Sequence, residues 1–218
     1  MADINSPISY SDVVRDLLKS KLSDSLFTYK NWGDEDLATY RKDVRDYYRK
    51  IQQGFCAFCK AGLSLTSAAN CHVEHLVPKS KRQEFVFEPK NLCVICADCN
   101  EIKRAKEIEA VEPDSLARGS KVKRYPRTSG AFLIVHPHFD IWEDHIVAFG
   151  RLFVDLSDKG HFTIGACTLN RRLREFGWDA VVTDESALRA ATTEWLNATD
   201  TLTAARQLQI MKRLMVLV

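Results

Sequence analysis

Cys56-Ala-Phe-Cys59 and Cys96-Ala-Asp-Cys99 bracket the string His72-Val-Glu-His75-Leu-Val-Pro-Lys79, and the second pair runs straight into Asn100-Glu-Ile-Lys103. Zinc takes four soft or borderline ligands in a tetrahedron, and a CxxC turn supplies two thiolates from one knuckle. Two such knuckles, 36 residues apart (60–95), meet at one ion if the intervening chain folds back as a hairpin. With Cys56, Cys59, Cys96 and Cys99 filling all four positions, that Zn2+ is structural and braces a stretch too small and polar to hold together by burial. Cys93-Val-Ile-Cys96-Ala-Asp-Cys99 also contains two overlapping CxxC spacings, so Cys93 with Cys96 competes. The later pair is preferred, because Cys93 continues the apolar run Leu92-Cys-Val-Ile and suits a small core residue. Cys71 and Cys167 read as plain buried thiols.

The residues between the knuckles carry chemistry. Glu74 and His75 are neighbours in an expected short strand, 72–77, ended by Pro78, so their side chains leave opposite faces unless the strand distorts. Glu74 can then bind a divalent ion while His75, kept neutral, takes a proton from water. Asn100, at the start of an expected helix from about Cys99 to Val111, completes a hard-ligand site with Glu74. Oxygen donors with open water positions favour Mg2+ or Mn2+. His72 shares a strand face with Glu74 and is a further candidate for the ion or a phosphate; packing, or a hydrogen bond to the knuckle, is the plain alternative.

The order CxxC, (Asp/Glu)-His-hydrophobic-x-Pro, Asn, CxxC-Asn-x-x-Lys resembles the HNH (ββα-metal) endonucleases with a zinc-knuckle brace, at Cys56, Cys59, Glu74, His75, Pro78, Asn91, Cys96, Cys99, Asn100 and Lys103. The resemblance implies His75 as general base and Glu74 with Asn100 as ligands of the catalytic ion. Asn91 would hydrogen-bond the backbone of the loop that orients His75. Lys103 would face the phosphate or steady its neighbours. The third motif position is Asn, as in the HNN members, and Glu at 74 lengthens the commoner Asp by one methylene. The products implied are a 5′-phosphate and a 3′-hydroxyl. A looser similarity over residues 29–177, to the retron-linked and Septu-type nuclease subunits of bacterial antiviral defence modules, implies an ATPase partner.

Composition sets the background. The 218 residues are 45% hydrophobic and 28% charged. No apolar run approaches the roughly 18 residues a membrane span needs. The start, Met-Ala-Asp-Ile-Asn-Ser, lacks a basic, then apolar, leader. A cytoplasmic protein with no membrane association is therefore expected, and its seven cysteines suit metal more than disulfides there. Net charge is only +2, but it is unevenly spread. Lys79, Lys81, Arg82, Arg104 and Lys106 flank the candidate site, and Arg118, Lys121, Lys123, Arg124 and Arg127 form an acid-free run. Such a rim suits phosphate contact, with DNA the favoured nucleic acid, although a solvated surface explains the second run equally well.

The expected fold is α+β: a helical region (1–54), the ββα-metal module with its zinc knuckles (55–112), a basic linker (113–130), and a strand-plus-helix region (131–218). Helices are expected from Ser9 or Ser11 to Lys21 and from Asp34 to Gln53, where Gly54 stops the second. Beyond the linker, strands are expected at 132–135, 146–149, 152–156 and 161–164, with Asp158-Lys-Gly160 as the tight turn between the last two. Helices follow at 168–176, at 184–197 headed by Thr183 or Asp184, and at 202–217. The last two carry apolar residues that either pack on their own core or make a homo- or hetero-oligomer contact. The segment His136-Pro-His138-Phe-Asp140 to His145 reads as a bend whose aromatics pack, ahead of a second metal site. Two rivals to the nuclease reading are a non-catalytic zinc-braced nucleic-acid-binding module and a thiol-redox protein.

Overall fold

The computed structural model describes residues 2–109, 111, 113–119, 122–177 and 186–216. It mixes helices with two small antiparallel sheets, and the chain divides into two compact units. One comprises Met1–Ile146 and Asp155–Leu169, the other Val147–Val154 and Asn170–Val218.

In the first unit, helix α1 (Asp12–Ser23) starts at Ser11, whose side chain accepts from the Val14 amide. Only Leu18 of α1 is buried; Val13 is exposed. Helix α2 (Ala38–Ile51) follows a 3-10 turn at Glu35–Leu37 and buries Tyr40, Val44 and Tyr48 at the expected three-four spacing. The chain leaves α2 through left-handed Gln53 and Gly54 (φ 53° and 76°), directly ahead of the first knuckle.

Strands β1 (His72–His75) and β2 (Leu92–Ile95) pair antiparallel, with His72 opposite Ile95 and His75 opposite Leu92. β2 is wholly buried. Its outer edge is finished by the buried Gln52 side chain, which accepts from Val94 N and donates to Val94 O, both at 2.8 Å. Helix α3 (Ala97–Ile108) follows β2 at once and packs against β1, while α2 packs against both strands. The Ala97 amide is satisfied by Asn70 Oδ1 at 2.9 Å.

Two expectations fail downstream. Residues 132–135 form no strand; Phe132 makes a single bridge to Leu116. Residues 161–164 lie inside helix α4 (Asp158–Ala166), and Asp158-Lys-Gly160 is its first turn, capped by Ser157. The glycine serves a close approach, since a Cβ at 160 would stand 1.9 Å from the His145 carbonyl oxygen. Lys106 is also not a rim charge: its ammonium donates to Gly165 O and Ala166 O at the end of α4.

Strands β3 (Ile146–Phe149) and β4 (Leu152–Asp155) pair antiparallel, and the second unit takes Val147–Val154 from them. Asn170 brackets Phe153, accepting from its N at 2.6 Å and donating to its O at 2.9 Å. Helices α5 (Arg171–Phe176), α6 (Ser186–Leu196) and α7 (Thr201–Val216) follow, and Leu152, Leu173, Leu188 and Met211 form their core. Trp195, Leu196 and Leu214 pack against that core, so these apolar residues are used within the unit. The expected cap at Thr183 or Asp184 lies outside the described residues. No helix among the described residues is long and apolar enough to cross a membrane.

Candidate metal centre and adjoining cavity

The two knuckles meet. The Sγ atoms of Cys56, Cys59, Cys96 and Cys99 all lie within 4.8 Å of one another, so the cluster can hold a metal ion such as zinc. Local backbone bonds shape the first knuckle: Cys56 N to Ala61 O, Lys60 N to Cys56 O, and Ala57 N across to Val94 O of β2. Lys60 closes the turn at φ 56°. The indole of buried Trp142 donates to Phe58 O at 3.0 Å and pins the turn from the other side. Hydrogen bonding from the Cys56 thiol is the leading cause that holds Cys59 and Cys96 below the ordinary thiol range, Cys96 down to about 6. Burial pushes Cys56 up and its hydrogen bond raises Cys99, so the four thiols share their protons unevenly. The overlapping choice is resolved: Cys93 is fully buried in β2 opposite Glu74 and takes no part in the cluster. No other group of three or more His, Cys, Asp or Glu side chains converges among the described residues.

On β1, beside this cluster, a cavity of about 230 Å³ is lined by His72, Glu74, His75, Lys79, Asn100, Lys103 and Arg104, among others. Those seven and Pro78, all singled out by their positions in the sequence, therefore share one space. Glu74 Oε1 lies 3.1 Å from the Lys103 ammonium, and both side chains are mostly buried. Lys103 also sits 5.8 Å over the ring of Phe58, inside the first knuckle. It steadies Glu74 and ties α3 to the knuckle.

His75 is buried, with its ring edge-on to Trp32 at 4.6 Å between centroids. Its Nε2 lies 3.1 Å from Val86 O. A carbonyl can only accept, so Nε2 carries the proton and Nδ1 keeps its lone pair. Burial, with Lys79 second, pushes the imidazole down to about 3, so it is neutral at physiological pH. Asn91, fully buried, accepts from Val77 N at 2.7 Å and donates to Val77 O and Phe85 O. It thus joins the two ends of the loop that carries Pro78 and Lys79. His72 Nε2 bonds Ala69 O at 3.1 Å, outside either knuckle, and the residue lines the cavity.

Lys81, Arg82, Lys123, Arg124 and Arg127 do not line this cavity. Arg127 pairs with Glu88 at 2.9 Å, and with Arg124 it borders a different groove, beside Tyr10 and Phe85. Lys121 lies outside the described residues. Sequence reasoning missed Trp32, Arg41 and Arg45, which also line the cavity. The two arginines had a signal, a four-residue spacing on a helix bound to pack beside the ribbon; Trp32 had none. The segment 136–140 is the expected bend: His136 N donates to Asp140 Oδ2 at 2.6 Å, Tyr125 OH bonds His136 Nε2 at 2.8 Å, and His138 Nε2 bonds Leu92 O at 2.9 Å. Neither the comparison with protein-family models nor that with curated proteins finds a match for this chain.

Proposed function

We propose that this chain is a metal-dependent phosphodiesterase of the HNH (ββα-metal) kind, acting on DNA. The observation that carries the reading is the single cavity shared by a neutral, backbone-anchored imidazole (His75), a carboxylate (Glu74), an amide (Asn100) and the cations Lys79 and Arg104. The succession β1, β2, α3, braced by four thiols, supports it too.

One carboxylate, one amide oxygen and room for water make a donor set that fits a hard divalent ion. A Mg2+ or Mn2+ ion held by Glu74 and Asn100 would supply charge neutralisation to a non-bridging phosphate oxygen and to the leaving 3′ oxygen. His75 takes a proton from water at Nδ1 as the new O–P bond forms in line with the breaking P–O3′ bond. Lys79 and Arg104 hold the phosphodiester, and Lys103 keeps the Glu74 carboxylate in place. An entering phosphate offsets the charge of Lys79, the second cause, after burial, of the low imidazole pKa. The wider reading, a defence nuclease working with an ATPase, rests on the resemblance over residues 29–177.

The test is nicking of supercoiled plasmid by zinc-loaded protein, with Mg2+ or Mn2+ against none. Wild type is expected to nick only with the ion. Glu74→Ala and His75→Ala, at unchanged zinc content, should each lose about 100-fold or more. Plasmid binding without any cutting by wild type would favour the non-catalytic zinc-braced module instead.

A further inference from the structure

Arg45 stands on α2 between two spaces. It lines the cavity that holds His75 and Glu74, and it also lines a second cleft, of about 770 Å³, with Lys42, Arg49, Lys50, Leu65 and Thr66. Three neighbouring cations on this helix, Arg41, Lys42 and Arg49, are occupied, while Lys50 is exposed at the cleft. Arg41 donates to Trp32 O and Asp34 O at 2.6 and 2.7 Å. Lys42 pairs with Asp46 at 2.9 Å. Arg49 is spent on Asp46, Leu65 O, Ser67 O and the Cys71 sulfur, which fixes the wall of the cleft. Arg45 differs. Its side chain makes no hydrogen bond or ion pair among the described residues, and its Nε is buried without a partner.

A buried, unsatisfied guanidinium nitrogen costs about 1–3 kcal/mol or more and is uncommon in folded proteins unless a ligand completes it. Arginine presents a planar fork that matches two phosphate oxygens. Beside it, Leu65 is 73% exposed on the rim of the second cleft, an apolar surface on which a base or sugar can rest.

Resting on the nuclease reading, we propose that the α2 cleft is a polynucleotide subsite: Arg45 grips the phosphate next to the one being cleaved, and the adjoining nucleotide lies between Leu65 and the exposed Lys50. The substrate class is therefore a strand extending past the scissile bond, and Arg45 is a binding residue.

The test uses zinc-loaded full-length chain and a fluorescently labelled 20-base-pair DNA duplex without Mg2+, followed by anisotropy across a salt series. Arg45→Met keeps the apolar stem and removes the fork. Binding is expected to weaken about tenfold, and the slope of log affinity against log salt to fall by about 0.9, one phosphate contact. Lys19→Met, a change at an exposed α1 lysine that lines neither space, serves as control and keeps more of the wild-type affinity. Because the variant loses an unsatisfied donor, its melting temperature should equal or exceed that of wild type. Wild-type affinity and slope in Arg45→Met would overturn the subsite, and so would a binding loss accompanied by a lower melting temperature. Wild type that binds with Arg45-dependent affinity yet never cuts would defeat the nuclease reading and leave the subsite supported.

Discussion

Gln52 and Asn91 do the same job with different reach. Each is a buried amide that stands in for backbone where the β1–β2 ribbon lacks a partner, Gln52 at the Val94 edge and Asn91 where β1 gives way to Pro78. Buried histidines are a second theme at this scale. Burial holds His138 down to about 4, His75 to about 3, and His136 well below its ordinary value. The unfolded chain binds protons near pH 6.5 that the folded chain refuses, so folding stability falls as pH drops from about 6.5 toward 4. Each such histidine contributes a slope of up to about 1.4 kcal/mol per pH unit in that window. His138→Gln should therefore flatten the pH dependence of the urea midpoint between pH 6.5 and 4.5 by nearly one proton's worth. Identical slopes in the two proteins would remove His138 from the acid response.

Among the elements, α4 separates local signal from tertiary demand. Asp158-Lys-Gly160 has the composition of a hairpin turn, and 161–164 has strand-like residues. What decides for helix is the Ser157 cap together with the approach of the first turn to the His145 carbonyl, a contact that no sequence window contains. Gly160→Ala is accordingly expected to destabilise by about 2–3 kcal/mol, because backbone must shift. Gly165→Ala, with nothing within 4 Å of its Cβ position, should gain up to about 1 kcal/mol from helix propensity. Chemical denaturation of both variants checks the opposite signs, and equal shifts would contradict the close approach. Elements with a regular period or a covalent-like anchor were legible in advance: α2 from its three-four spacing, β2 from its apolar run, the thiol cluster from CxxC spacing. Glu74, His75, Asn91, Asn100 and Lys103 were legible because motif spacing constrains them. Trp32 reaches the cavity from the 3-10 turn Tyr29–Gly33, which no motif spacing ties to β1, so position in the chain did not announce it.

At the scale of the whole molecule, the first unit carries both the thiol cluster and the cavity, and the second is a ribbon-and-helix body with its own core. Two of the cluster's four thiols stand where β2 gives way to α3, directly before Asn100. The imidazole on β1 is the group on which the proposed chemistry turns. Its removal leaves a space that free imidazole can enter, which makes chemical rescue the most direct measurement. Zinc-loaded His75→Ala, with melting behaviour like wild type, should nick supercoiled plasmid in Mg2+ at least about 100-fold more slowly than wild type and regain part of that rate when imidazole is added. Nicking at the wild-type rate without imidazole would contradict the assignment of His75 as the base.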